Sequence, residues 1–244
     1  MSRLLNGAVL ILLAAAGFAT APASAPATRA TDRYSLTPDA FFKLPEVKQH
    51  IKKDSVDTAL LETAIFQQTN VERAANKLPA FKHSWALNLM ARRHSTEMAT
   101  LQFFDHVSPT PANRTIEDRL KNVGLNNVLA GENIAVLPAK EMGSGTYIIH
   151  KNPDGTETWT DEVSGKRVDY YTYEELAKAV LTSWMNSPPH RANLVRKDFQ
   201  YLGTGAARGP YDANKQDSFY MTQNFSSGVN GPSETKGKKD LETP

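Results

Sequence analysis

Three side chains in this chain are of types that hold metals or move protons, and each stands near the end of an element: His106, Glu132 and His190. Two neutral imidazoles and one carboxylate make a three-ligand set for a divalent ion with an open position. The same groups can work as general acid and base. Each also has a plainer reading. His106 follows the segment Phe103-Phe104-Asp105, where an imidazole can cap a helix or bond a backbone carbonyl. Glu132 lies between Val128-Leu129-Ala130 and Ile134-Ala135-Val136. A carboxylate there is costly unless paired, and Arg119 is a candidate partner. His190 follows Pro188-Pro189 on stiff backbone and can equally be a surface loop residue. Spacing alone does not bring the three together. Ser108 and Ser187 each lie close to a histidine in sequence, but no third group that would orient a base is evident. The patterns H-E-x-x-H, P-loop and G-x-S-x-G are absent.

The elements that must position these groups can be read from capping and periodicity. Phe41, Phe42, Leu44 and Val47 suggest a small helix within 37–53. Asp54 or Ser55 can cap a long helix to Ala75, with Leu60, Leu61, Ala64, Ile65 and Val71 near one stripe. Ser84 can cap the next, where Leu87, Met90, Ala91, His94, Met98 and Leu101 keep the helical period. His94 therefore reads as a packed core histidine, and His50, His83 and His150 as surface residues. Thr115 and Asp118 form a capping box, and Gly124 ends that helix. Tyr147-Ile148-Ile149 is strand-like, Asn152-Pro153-Asp154-Gly155 is a turn, and Thr156 to Val163 can return, which predicts a β meander over 143–171. Thr172 and Glu175 box a helix that Pro188-Pro189 ends. Tyr201–Ala207 and Phe219–Phe225 read as buried strands, with Gly209-Pro210 starting the turn between them.

The chain has 244 residues, 40% apolar and 22% charged, enough for a core without staples. The absence of cysteine excludes thiolate metal sites, thiol nucleophiles, disulfides and a lipid-modified N-terminal cysteine. A net charge of +2 without a clustered basic face argues against a nucleic-acid partner. At the N-terminus Arg3, the apolar run Ala8 to Ala19 and the small residues Thr20-Ala21-Pro22-Ala23-Ser24-Ala25 make a signal-peptide pattern over 1–25. The run is shorter than the ~20 residues a bilayer span needs. We therefore expect an exported protein, extracellular or periplasmic, with no transmembrane segment after cleavage. The rest divides into a linker and short helix over 26–53, a domain over 54–227 and a disordered tail over 228–244.

Taken in order, the motifs form a pattern. They run Asn70-x-x-Arg73, Leu78-Pro79, His94-Ser95-x-x-Met98, Phe104-x-His106, Arg119 to Gly124 and Gly131-Glu132-Asn133-Ile134-Ala135. Then come Trp184-x-x-Ser187-Pro188-Pro189-His190-Arg191-x-Asn193-Leu194, Phe199-x-x-Leu202-Gly203-x-Gly205 and Thr222-Gln223-Asn224-Phe225. This resembles the CAP superfamily of cysteine-rich secretory, antigen 5 and pathogenesis-related proteins, in its cysteine-free bacterial branch. The resemblance implies an α+β fold, an α-β-α sandwich with a small antiparallel sheet between helical layers, here with the β meander inserted. It also implies a central cavity where two histidines and up to two glutamates converge. Carried over, these are His106, Glu132 and His190, with Ser187 where full-tetrad members have the second glutamate. Any metal there, zinc (Zn) or magnesium (Mg), would have fewer anionic ligands.

The family has been linked to lipid or sterol binding, metal binding, signalling and proteolysis. Because no nucleophile–base–orienter set assembles, the expectation is a non-enzymatic exported binding module. It would use the cavity or an apolar groove for a small ligand, lipid, envelope component or partner. One alternative is a metal-dependent hydrolase of peptide or envelope material, with His106 and His190 on the ion and Glu132 as ligand or base. Another is a structural envelope-associated protein whose His/Glu cluster stabilises the fold. The meander is expected at one rim of the cavity, as a determinant of binding or a neutral insertion.

Overall fold

A computed structural model describes residues 33–213 and 215–242, so the signal-peptide pattern lies outside the described residues. The helices are α1 (Pro38–Phe41), α2 (Thr58–Ala75), α3 (Trp85–Leu101), α4 (Ile116–Asn122), α5 (Tyr173–Asn186), α6 (Pro188–Leu194) and α7 (Gly231–Glu242). The strands are β1 (Lys82–His83), β2 (Ala130–Pro138), β3 (Tyr147–Lys151), β4 (Glu157–Asp161), β5 (Arg167–Val168), β6 (Tyr201–Tyr211) and β7 (Gln216–Ser226).

Local chemistry accounts for most helix starts. Ser84 Oγ accepts from the Leu87 amide at 3.2 Å at the head of α3, and the boxes Thr115–Asp118 and Thr172–Glu175 open α4 and α5. The cap of α2 is Asp57, whose carboxylate accepts from the Leu60 amide at 2.9 Å. Asp54 and Ser55 do not fill that role, because a bridge between Lys52 and Ser55 holds them in a turn ahead of it.

The main sheet has strand order β1-β6-β7-β2, antiparallel except for the two-residue parallel strand β1. Along β7, Phe219, Met221 and Phe225 point to the core under α2 and α5, while Tyr220 points to the α3 side. Helix α3 lies almost directly on the backbone of β6. A Cβ at Gly203 would stand 2.1 Å from the Asn88 nitrogen, and one at Gly205 would stand 2.1 Å from the Ala91 carbonyl carbon. Helices α2 and α5 cover the opposite face with Leu61, Ile65, Leu176, Val180 and Trp184, all buried. The α-β-α sandwich follows from these two faces. Among the described residues no helix is long and apolar enough to cross a membrane.

The meander forms a separate sheet of order β3-β4-β5. Gly155 and Gly165 supply the positive φ of its two turns, +81° and +67°. It joins the main body through strand-flanking residues, with a bridge between Lys140 and Tyr170.

Four local expectations need correction. The β6–β7 hairpin runs on through Gly209-Pro210, with β6 ending at Tyr211 and β7 beginning at Gln216. Arg208 Nε donates to Asp217 Oδ1 at 2.6 Å across the extended ladder. Beyond Leu202, β6 has no β1 partner, so Pro210 sits on an edge where a missing N–H is tolerated. His83 is not a surface residue. It stacks on Tyr34 with ring centroids 3.6 Å apart, and burial pushes its pKa down to about 3. Leu101, at the end of the α3 stripe, is 53% exposed.

The fourth correction is the expected disordered tail at 228–244, most of which is helix α7. Its polar composition hides what holds it. Glu234 accepts from Ser84 Oγ at 2.6 Å and from the Trp85 amide at 2.8 Å, so it caps α3 from outside. Gly237 lets the two helices touch, since a Cβ there would meet the Trp85 carbonyl carbon at 2.5 Å and the Ala86 nitrogen at 2.6 Å.

A helix docked this way should come off when its contact is blocked. We expect Gly237→Val to expose α7 to proteolysis and to lower stability by about 1–3 kcal/mol. Glu234→Ala should cost about 1 kcal/mol through the lost cap. Limited proteolysis with mass readout, beside thermal melting, checks both.

Candidate functional site

Glu132 comes up on β2 with only 9% of its surface exposed. Its register partner on β7 is Asn224. A carboxylate so placed must find cations or donors, and the fold brings three around it. Arg119, on α4, grips it with one terminal nitrogen, 2.8 Å from Oε1 and 2.7 Å from Oε2. His106, on the loop after α3, donates from Nδ1 to Oε1 at 2.9 Å. His94, wholly buried on α3, holds Nε2 3.8 Å from the same oxygen while donating to the Asp105 carbonyl at 3.1 Å.

Arg119 also fixes the loop. Its Nη1 donates to the carbonyls of His106 and Asn113, both at 3.1 Å. The loop that carries His106 is thus set by the same guanidinium that neutralises Glu132.

The titration states follow from this packing. Burial opposes ionisation of Glu132 most strongly, but the His106 hydrogen bond and the Arg119 charge together hold its carboxyl below the usual range. The bond to Glu132 raises the His106 pKa against partial burial. Burial lowers that of His94 and outweighs the attraction of Glu132. The cluster at neutral pH is therefore an anion held by an arginine and an elevated imidazole, with His94 neutral.

His190 and Ser187 stand beside this cluster rather than in it. The His190 carbonyl accepts from Asn133 Nδ2 at 3.2 Å. Its imidazole is pushed down by burial and by the positive charge of His106, so the two rings share one neighbourhood. Ser187 is the extended residue between α5 and α6 and makes no side-chain cap bond. It takes no part in the hydrogen bonds around Glu132.

The asparagines of the motif are architectural. Asn193 donates to the Glu132 carbonyl at 3.2 Å and to Asn133 Oδ1 at 2.9 Å. Asn133 donates to Gln223 Oε1 at 3.2 Å, and Gln223 to Thr69 Oγ1 at 2.7 Å. This buried chain ties α6, β2, β7 and α2. Asn70 exchanges two hydrogen bonds with the Phe81 backbone, and Arg73 donates to the carbonyls of Pro79, Leu194 and Arg196.

Glu132 is poorly placed to ligate a divalent ion within the His106–Glu132–His190 set. Both Glu132 oxygens already face a guanidinium, and the lone pair of His106 Nδ1 is replaced by a proton shared with Glu132. A second cation would meet the first. No group of three or more His, Asp or Glu among the described residues is placed to hold a metal. That chemistry argues against Glu132 as a direct ligand to zinc or magnesium.

A concavity lies elsewhere on the molecule, away from the His/Glu cluster. A cavity of about 910 Å³ opens between the meander and the far end of the β6–β7 hairpin. Lys140, Ile149, Glu157, Trp159, Tyr170 and Asp217 are among its lining residues, and His106, Glu132, Ser187 and His190 are not. The meander therefore borders this cleft and not a His/Glu cavity. Its sequence signal was the pairing of Ile149 with Trp159, cross-strand neighbours on one face of a surface sheet.

Residues 126–225 match the family model for the cysteine-rich secretory protein family, CAP. An uncharacterized protein of Bacillus subtilis (strain 168), YkwD, is 26% identical over 183 residues, 74% of this chain and 56% of that protein. An uncharacterized membrane protein of the same organism, YlbC, is 26% identical over 164 residues, 67% of this chain and 34% of that protein. The chain thus spans little more than half of one relative and a third of the other. An extracellular protein containing a SCP domain from Bacillus anthracis str. Ames is 28% identical, with 68% of this chain and 40% of that one covered, at a TM-score of 0.44.

If Arg119 neutralises a buried anion, its loss should hurt more than the loss of both partners. We expect Arg119→Met to destabilise by about 3–5 kcal/mol and the double variant Arg119→Met/Glu132→Leu to recover most of it. Chemical denaturation of the three proteins checks this. The pH dependence has a defined sign. The raised His106 pKa gives stability that is full below its ordinary 6.5 and lost as pH climbs through the folded value. The lowered Glu132 pKa gives stability that is full above its ordinary 4.5 and lost as pH falls through the folded value. Melting temperature against pH should therefore decline on the alkaline side in the parent protein, and His106→Asn should flatten that limb.

Proposed function

Starting from a chain that carries a domain of the cysteine-rich secretory protein (CAP) family, we propose that it is a non-enzymatic binding module acting outside the cytoplasm. Export rests on the N-terminal pattern at 1–25. One observation carries the binding reading. The polar cluster that catalysis would need is closed on itself by the Arg119–Glu132 pair, while an open cleft of about 910 Å³ lies elsewhere.

A hydrolase would require a base or nucleophile with a free reacting atom and a neighbour that orients it. Glu132 is buried behind His106 and held by Arg119. The His106 side chain is half exposed, but among the described residues no hydroxyl or carboxylate other than Glu132 is hydrogen-bonded to its ring. The cluster's work is structural: it joins α3, α4, β2 and the loop at 102–115. The cleft has the size of a small-molecule site, and its lining is rich in charged and polar groups, with Ile149, Trp159 and Tyr170 among its apolar faces.

Calorimetric titration of the purified protein with phospholipid vesicles, short peptides and oligosaccharides tests this reading. At least one class should bind, with the binding kept in His106→Ala and lost in Trp159→Ala. Added chelator should change nothing. Zinc binding that is lost in His106→Ala/His190→Ala, or chelator-sensitive hydrolysis of any of these substances, overturns it.

A further inference from the structure

The cleft's lining narrows the ligand beyond a generic small molecule. On the meander side, Ile149 and Trp159 are directly opposed across β3 and β4. Ile149 keeps 47% of its surface exposed, so this apolar face looks into the opening and not into a core. Closing such a face against a ligand is favourable by burial alone.

The floor is polar and organised. Arg208 clamps Asp217 through two nitrogens, with Nε 2.6 Å from Oδ1. The Tyr170 hydroxyl donates to Asp217 Oδ2 at 3.2 Å. Glu157 accepts from the Trp159 indole N–H at 3.1 Å. These carboxylates are held in place, and each retains lone pairs that can accept from a hydroxyl. The amide of Gln216 lies along the same wall.

Lys140 stands between the two walls. Its ammonium is 4.9 Å from the Trp159 ring centroid and 5.2 Å from that of Tyr170. Burial lowers its pKa, against the attraction of Glu157, Asp169 and Asp217. It has no carboxylate within ion-pair distance among the described residues, although three N–H donors point from its nitrogen. An ammonium held over aromatic faces, with no protein carboxylate paired to it among the described residues, can receive one from a ligand.

We propose that this cleft binds an anionic saccharide, a short glycan whose carboxylate or phosphate meets Lys140. Its hydroxyls would donate to Asp217 and Glu157, and its apolar faces would lie along Ile149 and Trp159. A simple lipid supplies no array of hydroxyls for the held carboxylates. A lone phosphate leaves the apolar wall uncovered. The cavity's volume accommodates more than one sugar ring. The inference rests on the reading of the chain as a binding module and specifies its ligand.

The experiment is tryptophan fluorescence and calorimetry on the full protein with four probes: tetragalacturonate, its neutral methyl ester, lactose 1-phosphate and inorganic phosphate. Saturable binding of tetragalacturonate or lactose 1-phosphate is expected, and which of the two binds more tightly identifies the acid. The methyl ester should bind at least about tenfold more weakly, and raised salt should weaken the acidic probe. Lys140→Gln should reduce affinity by about tenfold or more with the melting temperature unchanged. Trp159→Leu, a second variant with unaltered circular dichroism, should abolish the calorimetric binding signal. Equal binding of acid and ester, or binding untouched by Lys140→Gln, overturns the proposal. So does binding of inorganic phosphate as tight as that of the sugars. If all four probes fail but a lipid or peptide binds and is lost in Trp159→Leu, the saccharide inference falls and the binding-module reading stands.

Discussion

A carboxylate on a strand that is covered by a helix has nowhere to put its charge except into the protein. Glu132 is in that position, and the way it is satisfied determines the path of much of the chain around it. Arg119 must reach it from α4, so α4 is held close to β2. The remaining donors of that guanidinium take the carbonyls of His106 and Asn113, so the loop after α3 is fixed as well. His106 then has one ring nitrogen committed to Glu132. What looks in the sequence like a set of reactive groups becomes, once folded, an ion pair with a hydrogen-bonded collar. Buried pairs of this kind are weak sources of net stability but costly to break, which suits a role in specifying where α4 and the loop go.

The opposite side of the sheet solves the same problem again. Glu62 on α2 is fully buried and is held by Arg92 of α3 at 2.8 Å and 2.6 Å, with Asn88 donating at 3.1 Å. The Ala206 amide also donates to it, at 3.3 Å. Because α3 rests against the glycines of β6, Arg92 and Asn88 arrive next to that strand, where Glu62 can meet both. Gly203 and Gly205 thus do more than permit close packing. They set the depth at which the polar groups of α3 engage the other layer.

Much of this was legible in the sequence where the cause is local. Capping boxes and the αL glycine at Gly124 depend on residues three or four apart, so the starts of α3, α4 and α5 could be read directly. The meander's turns were equally plain, because proline and glycine act on their own backbone. The order of motifs pointed to the sandwich, and the structure shows those motifs to be mostly internal ties: Asn70, Arg73, Asn133 and Asn193 bond backbone carbonyls or one another. Illegible features were those set by distant partners. Glu62 reads as the polar side of an amphipathic helix until Arg92 is seen above it. The segment around Glu234 and Gly237 reads as disorder, since its low hydropathy says nothing about a cap supplied to another helix. Nor does Lys140 stand out until the fold brings Trp159 and Tyr170 to either side of it.

The Glu132 cluster and the cleft differ in what change they can bear. Around Glu132 every substitution disturbs an anion, a loop and two helices at once, so that region has little freedom to acquire a new ligand. The meander is tied to the sandwich mainly along residues 138–141 and 169–173, and its inner face carries side chains whose loss removes no core contact. Residues such as Ile149, Glu157 and Trp159 can therefore be exchanged without cost to the sheet beneath. Specificity is most readily built where it can vary independently of stability. By that argument the chemistry to be recognised should be written on the meander, with Arg208 and Asp217 at the hairpin's end supplying a fixed polar floor.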